Sequence, residues 1–128
     1  MSSIQRSFLP RQRKNKRFED LLAFQCRAYQ LPQPHEQYRF AQSMGRQFSA
    51  DFAWPAYHLL LEVQGGIWRA GGGAHSHPLN IERDIEKQQH AVLLGWFVLP
   101  VTTDQVEKGD AIVLLQKTLI ARGWTPPC

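Results

Sequence analysis

The chain has 128 residues, is 43% hydrophobic and carries a formal net charge of +4, which allows one ordinary hydrophobic core and excludes two. No run approaches the roughly 20 apolar residues of a spanning helix, and no apolar segment follows the basic N-terminus as in a signal peptide, so a cytoplasmic protein without a membrane partner is expected. Cys26 falls in a predicted helix and Cys128 is the last residue, so no structural disulfide is expected and a reducing compartment fits.

Charge is unevenly spread. Arg6, Arg11, Arg13, Lys14, Lys16 and Arg17 are six of the fifteen basic residues, and no acid precedes Glu19. Beyond residue 17, nine bases face eleven acids. Residues 1–16, polar and without an apolar period, read as a flexible basic arm, and 17–128 as the folded domain. Such an arm either neutralises the phosphates of a polyanion that the slightly acidic body would repel, or is a solubilising tail.

From Arg17 the spacing of Phe18, Leu21, Leu22, Cys26 and Tyr29 predicts a helix of about three turns running to near Tyr29. Glu19 lies near its start, where an acid suits the helix dipole. Leu31-Pro32-Gln33-Pro34 ends it. Residues 37–40 read as a first strand, Ser43-Met44-Gly45-Arg46 as a turn, and Phe48–Trp54 as a second strand that Pro55 separates from a third, Tyr57–Gln64. On the third strand the period of two sets Glu62 and Gln64 on one face and Val63 on the other. The run Leu59-Leu60-Leu61 is expected where both faces are covered. A carboxylate on such a strand is costly unless a cation meets it. Asp51 on the neighbouring strand can add a second oxygen ligand, so the pair suits a hard divalent cation such as magnesium. From these two residues alone, however, a pair of strand-end carboxylates facing water is the default reading.

A glycine-rich loop, 67–78, carries His75 and His77. Two ligands one residue apart, even with Cys26 and Cys128, match structural zinc patterns poorly. Asn80 is then expected to cap a helix from about Ile81 to Leu94, with Ile81, Ile85, Gln88 or Gln89 and Val92 as its inner face and Gly95 as its stop. Trp96–Val101 reads as a buried strand, with Trp54 and Trp96 in the core. A final helical region starts at Thr102 or Thr103, breaks at Gly109, and lines the core with Ala111, Leu114, Leu115, Thr118 and Leu119. Helix, three-strand meander, helix, strand, helix is the order of an α/β fold in which helices flank a mixed sheet.

This order, with Asp51 on one strand and Glu62-Val63-Gln64 on the next, resembles the PD-(D/E)XK nuclease superfamily, whose core is a restriction-endonuclease-like mixed sheet. From Arg17 onward the run DFAWP…LLLEVQGGIW…H…ERDIEKQQHAVLLGWFVL is most similar to small phage and prophage endonuclease-like proteins related to very-short-patch repair endonucleases. The resemblance implies a magnesium- or manganese-dependent endonuclease acting on DNA by phosphodiester hydrolysis. It makes Asp51, Glu62 and the Val63 carbonyl metal ligands, adds Glu19 from the first helix, and makes His77 or His75 a proton shuttle or phosphate contact. Trp68 would stack against bases. Arg11, Arg13, Lys14, Lys16, Arg17, Arg69 and His75 would contact nucleic acid. The family lysine is Gln64 here. Its amide can orient a water but cannot carry charge, and Lys87 on the following helix is the candidate substitute, unless Arg83, Asp84 and Lys87 form a solvated face. The missing strand lysine also motivates an alternative, a nuclease-fold nucleic-acid-binding module without catalysis. Double-strand cutting would call for a homodimer, nicking for a monomer.

Overall fold

A computed structural model describes residues 15–65 and 78–127, and the side chains of all of these except 78–80. The chain order is α1 (Lys16–Ala28), β1 (His35–Arg39), β2 (Ser49–Trp54), β3 (Leu59–Gln64), α2 (Pro78–Leu93), β4 (Phe97–Thr102), α3 (Thr103–Lys108) and α4 (Asp110–Ala121). The four strands form one mixed sheet in the order β1-β2-β3-β4. The first three are an antiparallel meander, and β4 lies parallel to β3 after the crossover through α2. The fold is α/β, with helices on both faces of the sheet. Among the described residues no helix is long and apolar enough to cross a membrane.

The alternation of β2 and β3 decides what each face buries. Phe52, Trp54, Leu59, Leu61 and Val63 pack with Leu22 and Cys26 of α1, Val106 of α3, and Ile112, Leu115 and Leu119 of α4. Ala53 and Leu60 face the other way, onto Phe40, Ala91 and the partly buried Leu94. Leu59, Leu60 and Leu61 are all buried, as expected of a strand covered on both sides. Turns follow the sequence signals: Gly45 is left-handed after a short 3-10 turn, and Pro55 opens another whose last position, His58, is also left-handed.

Six expectations change on folding. Helix α1 ends at Ala28, so Tyr29 leaves the buried stripe and is exposed. Helix α2 begins at Pro78, not Asn80, because proline's missing N–H costs nothing in a first turn. The same helix presents Ala91 to the sheet, while Ile81, Ile85 and Val92 stay exposed. Two ion pairs join it to the rest of the fold, Lys87 with Glu62 of β3 and Arg46 with Glu86, the first on the same side as Ala91. Strand β4 is an edge strand: Phe97 and Pro100 are exposed and only Val101 is fully buried, because no further strand or helix covers that edge among the described residues. Trp54 is buried, but Trp96 is half-buried, edge-on to Tyr38 and His58. In α4 Ile112 takes the core position expected for Leu114, which is exposed.

Candidate functional site

The β2–β3 ladder pairs Trp54 with Leu59, Ala53 with Leu60 and Phe52 with Leu61, then stops. One step further the same register sets Asp51 opposite Glu62. There the Asp51 side chain replaces the ladder: Val63 donates its backbone N–H to Asp51 Oδ2 at 2.8 Å. The β1–β2 register likewise sets Gln37 opposite Asp51, between the pairs Glu36–Phe52 and Tyr38–Ala50. Gln37, Asp51 and Glu62 therefore form a row across three strands. Gln37 donates Nε2 to Glu19 Oε1 at 3.0 Å and points the same amide at Asp51 Oδ1 at 3.5 Å. Glu19, on α1, is itself buried.

Glu62 forms an ion pair with Lys87, and the side chains are only 17% and 24% exposed. Burial pushes the Glu62 carboxyl up to about 7; the Lys87 ammonium works against this, and the nearby Asp51 carboxylate adds to it. Desolvation thus outweighs one cation, as expected of a carboxyl enclosed by protein on most sides. Because the folded carboxyl titrates above its ordinary value of 4.5, the folded state binds the extra proton. Stability is therefore expected to fall as pH rises from about 4.5 to about 7. Replacing the acid in Glu62→Gln should flatten that slope, which melting temperatures of the two proteins between pH 4.5 and 8 would show, the range spanning this window. A slope unchanged by Glu62→Gln would assign it to other groups.

Gln64, two residues along β3, lines the same cavity as Glu62, Lys87, Asp84 and Asn15, a space of about 400 Å³ between β3 and α2. The Val63 carbonyl at its edge accepts from Asn15 Nδ2 at 3.0 Å. Asn15 precedes α1 but makes no side-chain cap; it holds the end of β3 instead. Gly65 makes room for this, since a Cβ there would stand 2.9 Å from Asn15 Oδ1 and 3.0 Å from Thr103 Cγ2. Gly65→Ala is expected to displace Asn15 and cost about 1 kcal/mol, the net worth of one hydrogen bond. Asn15→Ala should cost a similar amount, and the two should not add, which denaturant melts of the single and double variants would test.

The structure thus brings Asp51, Glu62, Gln64, Lys87 and the Val63 carbonyl together, with Glu19 joined through Gln37. Lys16, expected in the arm, joins Arg17 in the first turn of α1; Lys16 pairs with Asp20 at 2.6 Å and Arg17 stacks on Phe18. Arg11, Arg13, Lys14, Trp68, Arg69, His75 and His77 lie outside the described residues. Cys26 is buried and free, and burial pushes its thiol up to about 12, which leaves it inert as a nucleophile or ligand at neutral pH. Sequence reasoning missed Gln37 and Asn15. An asparagine directly before a helix is a recognisable signal, though of a cap; a glutamine in a strand carries none.

Among the described residues no group of three or more His, Cys, Asp or Glu side chains is placed to hold a metal ion. The side chains that fit are two, Asp51 and Glu62, with the second lone pair of the Val63 carbonyl beside them. That all-oxygen set suits magnesium, which is commonly held by one or two carboxylates and keeps several waters.

No known family's sequence model matches the chain, and no solved structure matches it. Two uncharacterized proteins of Mycobacterium tuberculosis, from strains CDC 1551 / Oshkosh and ATCC 25618 / H37Rv, are each 32% identical to it over 78 residues. The matched stretch is 61% of this chain and 27% of each relative, so the chain spans about a quarter of the length of the curated relatives it matches.

Proposed function

We propose that the chain is a divalent-metal-dependent DNA endonuclease of the PD-(D/E)XK type. The observation that carries this reading is the placement of Asp51 and Glu62 at facing positions on adjacent strands, where the ladder opens, with Lys87 from the crossover helix on Glu62. A purely structural ion pair would need one carboxylate; the second raises the charge of an already desolvated site, which is costly unless a cation is bound in use. A magnesium or manganese ion bound there would neutralise charge on the scissile phosphate and make a coordinated water more acidic.

The chain's own residues do the rest. Val63 N–H fixes one oxygen of Asp51, so the other is presented in a set direction. Gln64 lines the cavity beside Glu62, where its amide can accept from and orient a water. Lys87 offers the positive charge that Gln64 lacks, approaching from α2 rather than from β3. The phosphate contacts are assigned to the basic residues of the first 17 positions, whose charge contrasts with the acidic remainder.

Supercoiled plasmid incubated with the purified protein tests this directly. Nicked or linear DNA is expected with magnesium or manganese and intact plasmid with a chelator. Salt-dependent DNA binding without cleavage in either metal would replace the enzyme by a catalytically inactive binding module on the same fold. Absence of both would refute the nucleic-acid reading.

A further inference from the structure

We infer that Gln37 is a positioning residue, whose side-chain amide, anchored on the buried Glu19, sets the orientation of the Asp51 carboxylate; the inference rests on the reading proposed above. Three observations meet at this residue. By register it stands opposite Asp51 in the middle of the β1–β2 pair, yet that one pair is missing from the ladder. Its backbone is left-handed, with φ of 50°, a conformation open to glycine, tolerated by asparagine and aspartate, and disfavoured for a glutamine. And its Nε2 faces two carboxylates at once, Glu19 at 3.0 Å and Asp51 at 3.5 Å.

Each observation explains the next. A regular strand would hold the Gln37 side chain perpendicular to the sheet, as residues of the two faces alternate; the left-handed backbone redirects it so that its amide lies between α1 and β2. The strained backbone is retained at a place with no tight turn and no glycine, which points to a demand from the side chain. Asp51 then has both oxygens directed, Oδ2 by the Val63 N–H and Oδ1 by Gln37. The Val63 bond is the short one. The Gln37 contact is long enough to leave Oδ1 open to another ligand while still opposing rotation of the carboxylate. Glu19 in this arrangement acts through Gln37: it accepts the amide's stronger hydrogen bond, and its burial makes that bond hard to exchange for water. The carboxylate on the first helix is accordingly an anchor for the orienting amide, and Asp51 and Glu62 are the acids that meet the ion.

Manganese affinity, measured by calorimetry on the metal-free full chain without DNA, tests this apart from cleavage. Gln37→Asn and Gln37→Gly both suit a left-handed backbone, but neither can span from Glu19 to Asp51. Each is expected to bind manganese roughly 10- to 100-fold more weakly, as when a residue orienting a metal ligand is lost. Glu19→Gln, whose side-chain oxygen still accepts from Gln37, should keep most of the affinity; Glu19→Ala should match Gln37→Gly, and the two losses should not add. Wild-type affinity in both Gln37 variants, or a loss in Glu19→Gln equal to that in Asp51→Asn, would overturn the inference and leave the proposed function standing. A wild-type protein that neither binds manganese nor cuts DNA would overturn both.

Discussion

Asp51→Asn and Glu62→Gln are each expected to abolish magnesium-dependent nicking of plasmid while the protein stays folded. Both substitutions keep the shape of the side chain and remove its charge. In Asp51→Asn the amide oxygen can still accept from Val63 N–H, the bond that closes the gap in the β2–β3 ladder, so the strand pairing survives. The charge is the part a divalent cation needs. Charge stabilisation by a bound ion is worth several kcal/mol, and about 4 kcal/mol corresponds to a loss of about a thousandfold in rate. Initial nicking rates with magnesium, beside melting curves for the same preparations, would check this. Activity within about tenfold of wild type in either variant, once contaminating nuclease is excluded, would remove that carboxylate from the proposed chemistry.

The second large effect concerns Lys87. Lys87→Met retains the aliphatic stem but leaves Glu62 buried beside Asp51 without its cation. The ammonium is the main influence holding the Glu62 carboxyl down, so without it the carboxyl should titrate above its present value of about 7. The sign follows directly: a higher folded pKa means less carboxylate at neutral pH, so manganese affinity and nicking should both fall and recover as pH is raised. A loss of about a hundredfold at neutral pH is expected, in the range seen when a positioned acid–base or charged group is removed. Gln64 and Lys87 line the same cavity, so adding Gln64→Lys to Lys87→Met moves the ammonium from α2 to β3, where the resembled pattern has it. The double variant should regain much of the activity and shift the pH profile back. A Lys87→Met protein with wild-type activity would reduce the ion pair to a structural contact, and a double variant no better than the single would mean that the lysine must approach from α2.

Much of the architecture was legible because it rests on short-range rules. Prolines at 32, 34 and 55 and glycines at 45, 95 and 109 punctuate the chain, and the elements lie between them. The run Leu59–Leu61 announced a strand covered on both faces before any helix was placed against it. The errors fall where two faces of one element were both plausible. Helix α2 carries an apolar row, Ile81, Ile85 and Val92, and a mixed row with Lys87 and Ala91; hydrophobic spacing favours the first, whereas the sheet takes the second. The second row also carries the cation for Glu62, which would be left buried without a partner if the helix turned the other way. Strand β4 shows the same limit from the other side: a continuous apolar run signals burial only if something lies beyond it, and β4 is the edge of the sheet.

By itself, then, the sequence determined the α/β class, the element order, and the positions of Asp51, Glu62 and Gln64 on their strands, because periodicity and turn chemistry act within a few residues. Only the tertiary structure decided that Asp51 faces Glu62 where the ladder opens, that Lys87 comes from α2 to meet Glu62, and that Glu19 reaches Asp51 through Gln37. Those relations join residues 14 to 25 positions apart, from Gln37–Asp51 to Glu62–Lys87, or lie across a strand register, and no local pattern specifies them. They follow from how the strands pair and from which buried charge must find its partner.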